Sequence, residues 1–197
     1  MFIKNKKNGN VIVISAPSGA GKTSICNAVT NEDKNIVFIT SYTTRHIRNN
    51  EINGKEYFFI SKIKFKNMIK KNEFIEWGIV HGNYYGTPKV ELEKLLGIGK
   101  NVLLEIDVRG SMIIKEKYPK ACMIFIMTPD LKTLKNRLIL RNNDCKKMIK
   151  MRYSNAKEEL KFINKYEYLV INENLNNAVE AVKIIIKSLK YKIKNHC

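Results

Sequence analysis

The chain has 197 residues, 44% of them hydrophobic, enough to bury one full core and too few for two large domains. It carries 36 Lys and Arg against 18 Asp and Glu, a formal net charge of +18 that would suit a nucleic-acid binder drawn to phosphates by counterion release. The lysines are spread through every segment, however, so the charge reads as a solvated surface and no specific nucleic-acid partner is expected.

The start, MFIKNKKNGN, is basic and shows no cleavable apolar region, and no run approaches the roughly 18 apolar residues of a membrane span. A cytoplasmic protein with no membrane partner is the expectation. Cys26, Cys122, Cys145 and Cys197 lack C-x-x-C spacing and a histidine partner, so reduced thiols are expected in place of a zinc site or disulfide framework.

Strand-like apolar runs occur at 11–14, 36–39, 102–106, 121–127 and 168–171, separated by segments of helical spacing. Such alternation predicts an α/β fold with a parallel sheet flanked by helices. Asp130 is a candidate N-cap for a helix running to Arg141, 146–162 reads as a second helix, and a third from about Ala178 to Leu189 places Val179, Val182, Ile185, Ile186 and Leu189 on one core-facing side. One region, 41–87, is richer in Thr, Arg, Tyr, Gly and Glu, with short strand candidates such as 57–60. It reads as a small inserted substrate-binding unit.

The first strand runs into SAPSGAGKTS, residues 15–24. A strand, a glycine-rich turn and a helix N-terminus gather backbone N–H groups around one point where the helix dipole also favours negative charge, which describes a phosphate site. Residues 16–21 (Ala16, Pro17, Ser18, Gly19, Ala20, Gly21) form the loop; Lys22 can reach the β and γ phosphate oxygens, and Thr23 suits Mg2+. The pattern G-x-x-x-x-G-K-[ST] is met except at its first position, where Ala16 requires that φ not be positive. Further along, VLLEID (102–107) ends a buried strand in two carboxylates on one face. Glu105 or Asp107 is expected to join the metal at Thr23 through water, the alternatives being an ion pair with Arg109 or a helix cap.

Arg45 and Arg48, followed by Tyr57 and Tyr85, offer guanidinium and phenol donors suited to a second, monophosphate anion. Two anions held in line imply a phosphoryl transferase rather than a hydrolase. Glu76, in NEFIEWG, sits among Phe74, Ile75 and Trp77. An ionised carboxylate is acceptor-only and would match the N1–H and N2–H₂ edge of guanine, with Ser41 and Thr87 serving other ring atoms. A helix-surface glutamate is the plain alternative.

SAPSGAGKTS, then S-x-T-T-R-x-x-R-x-x-E-x-x-G-x-x-Y (41–57), then NEFIEWGIVHGNYYGT and LEIDVRG together resemble the guanylate kinase family over nearly the whole chain. The resemblance implies a P-loop nucleotide kinase: a single domain over 9–190 with a core (9–40, 91–128, 164–190), a GMP-binding unit (41–90) and a helical lid (129–163). Mg2+-dependent transfer of the ATP γ-phosphoryl group to GMP or dGMP is implied, by a monomer or homodimer. It also implies that Ser41, Glu76, Thr87 and Asp107 contact guanine and that Arg45, Arg48, Tyr57 and Tyr85 hold the GMP phosphate. Arg137, Arg141 and Arg152 become lid arginines, and Asn172 in VINENL lies near the adenine. Two departures stand out: Asn142-Asn143 follow Arg141 where a glycine is common, and Arg109 replaces a glutamine. A non-catalytic guanylate-kinase-like interaction module is the main rival, disfavoured by the intact Gly21-Lys22-Thr23; an adenylate-specific kinase is disfavoured by Glu76 with Ser41.

Overall fold

The computed structural model describes residues 9–49, 51–80, 82–140 and 146–191. Arg141, Asn142, Asn143, Cys145 and Cys197 lie outside them.

From the start, β1 (Val11–Ser15) leads through the glycine turn to α1 (Lys22–Glu32) and β2 (Ile36–Phe38). The middle section contains β3 (Tyr42–Thr43), β4 (Phe58–Phe59), α2 (Lys62–Lys70), β5 (Phe74–Val80), β6 (Asn83–Pro88) and α3 (Lys89–Gly97). There follow β7 (Asn101–Glu105), α4 (Val108–Lys117), β8 (Cys122–Met127), α5 (Leu131–Leu140), α6 (Lys146–Leu160), β9 (Tyr168–Ile171) and α7 (Leu175–Ser188).

Five strands form a parallel sheet in the order β2-β7-β1-β8-β9. β1 is central and buried at every position, because a parallel strand is covered on both faces. Its period of two divides the core: Ile12 and Ile14 pack with Ile25 and Val29 of α1 and Val182 of α7, while Val11 and Val13 pack with Leu92 of α3 and Ile114 of α4. Chain order reverses at β1, so the crevice beyond its C-terminal end is the natural ligand position.

The remaining strands form a second sheet, β4-β3-β6-β5, in which β5 and β6 are an antiparallel pair. Its own core joins Phe65 and Met68 of α2 to Phe74, with the rings of Phe65 and Phe74 stacked at 4.5 Å. A register shift between Phe74 and Glu76 makes three successive β5 residues buried. Phe74 faces α2, Ile75 joins the core of the parallel sheet, and Glu76 is aimed elsewhere. Redirecting one side chain in this way is what a bulge does.

All five expected core strands are present, with ends moved by at most a residue. α2 carries little helical signal in the sequence because five of its residues outside the Phe65 and Met68 stripe are lysine or asparagine, and the region around it is strand-like. α7 begins at Leu175, three residues before the expected start, because Asn174 caps it by accepting from the N–H groups of Asn176 and Asn177. α3 begins at Lys89, so the unit boundary expected between 90 and 91 falls inside its first turn. Gly86 of β6 leaves no room for a methyl group: a Cβ would lie 2.8 Å from Phe74 and 3.0 Å from Phe65. Gly86→Ala is expected to cost about 1–3 kcal/mol by overpacking, read as a lower urea midpoint in equilibrium unfolding.

Candidate active site

The turn out of β1 reaches α1 through Gly19 (φ 92°) and Gly21 (φ 94°), both in the left-handed region that favours glycine. Ala16 has no positive φ, so its methyl group is tolerated. No side chain caps α1, and the N–H groups of its first turn are left as donors for an external anion. The loop is braced from two directions. Asn172, buried just past β9, donates from Nδ2 to the Ala20 carbonyl at 2.7 Å, and Arg152 of α6 donates to Ser18 Oγ at 3.1 Å. Asn172 is therefore a support of the loop in this state. Lys22 Nζ donates to the Ile106 carbonyl at 3.1 Å, beside the loop.

Thr23 Oγ1 donates to Glu105 Oε1 at 2.6 Å. Asp107 differs from expectation. β7 stops at Glu105, and Asp107 lies beyond it as the N-cap of α4, accepting from the Gly110 N–H at 2.7 Å. The helix-cap alternative holds for it because an orphan first-turn amide competes for its carboxylate. Of the two acids, Glu105 is the one brought to Thr23. Two hard oxygen donors side by side fit Mg2+, which accepts few protein ligands and takes the rest from phosphate and water. Among the described residues no group of three or more His, Cys, Asp or Glu forms a self-sufficient metal cage.

Facing this crevice, the second sheet presents the other set. Arg45 donates from both terminal nitrogens to Glu51, at 2.7 and 2.9 Å, and lies over the rings of Tyr57 and Phe59. Arg48 is exposed and its backbone N–H donates to Glu51 at 2.9 Å. Glu51 was visible in the sequence as the acid ending R-x-x-R-x-x-E but went unassigned. Its carboxyl is held below the usual range chiefly by the Arg45 hydrogen bonds, and it fixes the Arg45 guanidinium and the Arg48 backbone at once. Tyr57 and Tyr85 meet edge to face at 5.6 Å, and burial raises the Tyr57 phenol well above its ordinary range, so it stays a donor.

Glu76 is on a strand, not a helix surface, and is 8% exposed. Thr87 Oγ1 donates to its Oε1 at 2.5 Å, and Ser41 Oγ lies 3.4 Å from Thr87 Oγ1. Gly110 brings α4 against it: a Cβ there would sit 2.7 Å from Glu76 Oε2 and 3.3 Å from Asp107 Oδ1, so the three residues share one wall. Burial pushes the Glu76 carboxyl up to about 7, offset by the Thr87 hydrogen bond and reinforced by Asp107. Of the arginines on the C-terminal helices, Arg137 donates to the Glu173 carbonyl at 3.3 Å and Arg152 reaches the loop as described. Arg141 lies outside the described residues.

A glycine loop at the end of a central parallel strand, faced by an arginine and tyrosine cluster and a buried carboxylate, defines a P-loop nucleotide kinase of the α/β class. Residues 8–189 match the family model described as guanylate kinase. Relatives of the chain carry the same name, two of which illustrate the match. One, from Caldanaerobacter subterraneus subsp. tengcongensis, is 44% identical over 188 residues, covering 95% of this chain and 91% of the relative. The other, from Helicobacter pylori, is 42% identical over 185 residues, covering 94% and 90%. The crystal structure of guanylate kinase from Anaplasma phagocytophilum superposes with a TM-score of 0.80 at 29% identity, covering 95% of this chain and 89% of that one. The chain belongs to the guanylate kinase family.

The Glu76 carboxyl has a testable linkage. Its folded value of about 7 lies above an unfolded value of 4.5, so the folded state holds the proton more tightly. The stability it contributes is fully present below that lower value and is lost as pH rises through the higher one. Glu76→Gln keeps an acceptor for Thr87 and removes the charge. It is expected to melt above the parent at about pH 8, with the gap narrowing toward about pH 5, in thermal scans at both values. A gap independent of pH would assign the effect to packing.

Proposed function

We propose that this chain catalyses the reversible, Mg2+-dependent transfer of the ATP γ-phosphoryl group to GMP, and to dGMP, giving ADP and the guanine nucleoside diphosphate. The observation that carries the choice of acceptor is Glu76: a buried carboxylate with Thr87 and Ser41 at its side, against Gly110 at the start of α4. Ionised, it accepts from guanine N1–H and N2–H₂ together, whereas adenine would set an acceptor against it. Asp107, sharing its wall, extends the guanine contact, and Arg45, Arg48, Tyr57 and Tyr85 hold the monophosphate.

The acceptor phosphate oxygen is itself the nucleophile, so no side chain enters the bond changes. An oxygen of GMP bonds to the γ phosphorus as the bond to the β-bridging oxygen breaks and ADP leaves. The loop amides and Lys22 hold the donor phosphates, while Arg45 and Arg48 hold the acceptor. Thr23 with Glu105 would hold Mg2+, which neutralises charge on the transferring group. Arg137, Arg141 and Arg152 act on the same charge from the lid over 129–163, whose closure over the unit 41–90 keeps water from the γ-phosphate. A cytoplasmic monomer or homodimer belongs to the same reading, as do the buried, reduced thiols of Cys26 and Cys122.

An assay coupling ADP release to a signal, with ATP, Mg2+ and GMP, dGMP, AMP, CMP or UMP in turn, tests the reading. Turnover is expected with the two guanine nucleotides alone, and equal rates with AMP would overturn the role of Glu76. Lys22→Ala and Arg45→Ala are each expected to lower kcat/KM by on the order of 10² or more, since each removes a charge aligned with a phosphate.

A further inference from the structure

α6 carries an acidic side chain toward the phosphate loop. Arg152, Ala156 and Glu159 fall at i, i+4 and i+7 on that helix and so share one stripe. Contacts independent of Glu159 set which way the stripe faces. Arg152 donates to Ser18 in the loop, Ala156 is fully buried in the core that includes Ile25 of α1, and the adjoining Leu160 packs with Val108 and Phe125. From Arg152 to Glu159 the helix advances about 10 Å, enough to pass from the crown of the loop to the start of α1.

Glu159 is thereby placed, half-buried, where titratable groups from three other segments lie near it. These are Lys22 at the start of α1, Asp107 at the start of α4, and Tyr166 before β9, whose hydroxyl lies 2.5 Å from Ser111 Oγ. Burial pushes the Glu159 carboxyl up to about 7, with Lys22 drawing it down and Asp107 pushing it further up. Lys22 is thus the cation that favours the ionised form against both burial and a like charge. It is also only partly committed. An ammonium group has three N–H donors, and one goes to Ile106. A second donor on Glu159 and the third on phosphate would fix the group at three points, where a lysine otherwise turns freely on its flexible stem. A carboxylate repels phosphate, so Glu159 suits this position only with Lys22 between the two.

We propose that Glu159 is a positioning residue for Lys22: carried on α6 beside the loop-bracing Arg152, it orients the ammonium group toward the transferring phosphate, so that the seating of α6 sets the aim of the lysine. The inference rests on the phosphoryl-transfer reading above.

Steady-state kinetics with ATP and GMP on Glu159→Gln, Glu159→Asp and Glu159→Gln combined with Lys22→Ala test it. Glu159→Gln is expected to lower kcat about tenfold, to change KM for GMP by less than about twofold, and to melt no lower than the parent, since an amide of the same shape removes a half-buried charge. Glu159→Asp, which keeps the charge on a shorter stem, is expected to recover part of the lost kcat. In the Lys22→Ala background the Gln substitution is expected to cost less than about a further twofold, because its partner is gone. Unchanged kcat in Glu159→Gln would overturn the proposal, as would a full additional loss in the Lys22→Ala background. A loss of kcat accompanied by lower melting and no recovery in Glu159→Asp would overturn it as well, by pointing to a packing role. Should the parent use another acceptor in place of GMP, the substrate reading alone would fall, and the same comparison of kcat on that acceptor would decide the role of Glu159.

Discussion

A loop that binds phosphate through main-chain amides must keep those amides turned outward, and a loop of small residues has few side chains with which to hold itself. Here the turn contributes one backbone hydrogen bond of its own, from the Ala20 N–H to the Pro17 carbonyl at 3.1 Å. The other braces come from sequence-distant segments: Asn172, 152 positions from Ala20, and Arg152, 134 positions from Ser18. Asn172 is placed by β9, which pairs only with β8, which in turn pairs with β1. The loop therefore acquires its working shape only when one side of the parallel sheet is complete. Gly21 records the same dependence, because a Cβ there would meet the Asn172 amide at 2.3 Å.

The chain as a whole is strongly basic, yet carboxylates line its crevice: Glu51, Glu76, Glu105, Asp107 and Glu159. Each has a distinct partner or neighbour. Glu51 fixes Arg45 through two hydrogen bonds, Glu105 takes the Thr23 hydroxyl, and Asp107 caps α4. In the proposed function Arg45 and Thr23 would therefore meet phosphate and metal already oriented, which lowers the reorganisation needed on binding more than it raises raw attraction. Arg45 illustrates the point, being clamped at one edge by Glu51 and bounded by the rings of Tyr57 and Phe59.

The parallel core was legible because buried parallel strands read as unbroken apolar runs and the glycine turn carries its own spacing. Lys22 and Arg45 were identifiable as residue types suited to anions, and Thr23 as one suited to Mg2+. What the sequence left open were the partners. Whether Asp107 ended a strand or began a helix depended on a competition between strand alternation and an orphan amide at Gly110, which only the packing of α4 decides. Glu76 among apolar neighbours was equally compatible with a helix surface, and the bulge that turns it inward depends on β6 and α2, neither of which could be placed from local pattern. Glu159 had no local signal at all. Lys157, Glu158, Glu159 and Lys161 form an ordinary charged stretch, and only the stripe shared with Arg152 and Ala156 separates one glutamate from the other.

Glu76 and Glu159 are both pushed up to about 7 by burial, so the fold holds two acids that would be more comfortable in water. The two hydrophobic cores packed on either face of β1 offset that cost. The strain is also reversible. Two donors on a guanine edge would favour the ionised form of Glu76. On the proposed reading a guanine ligand would offset the burial cost of Glu76, and the linkage between binding and folding would make the liganded protein the more stable one. A site organised this way gives up stability where it must select a substrate and regains it when the selection is correct.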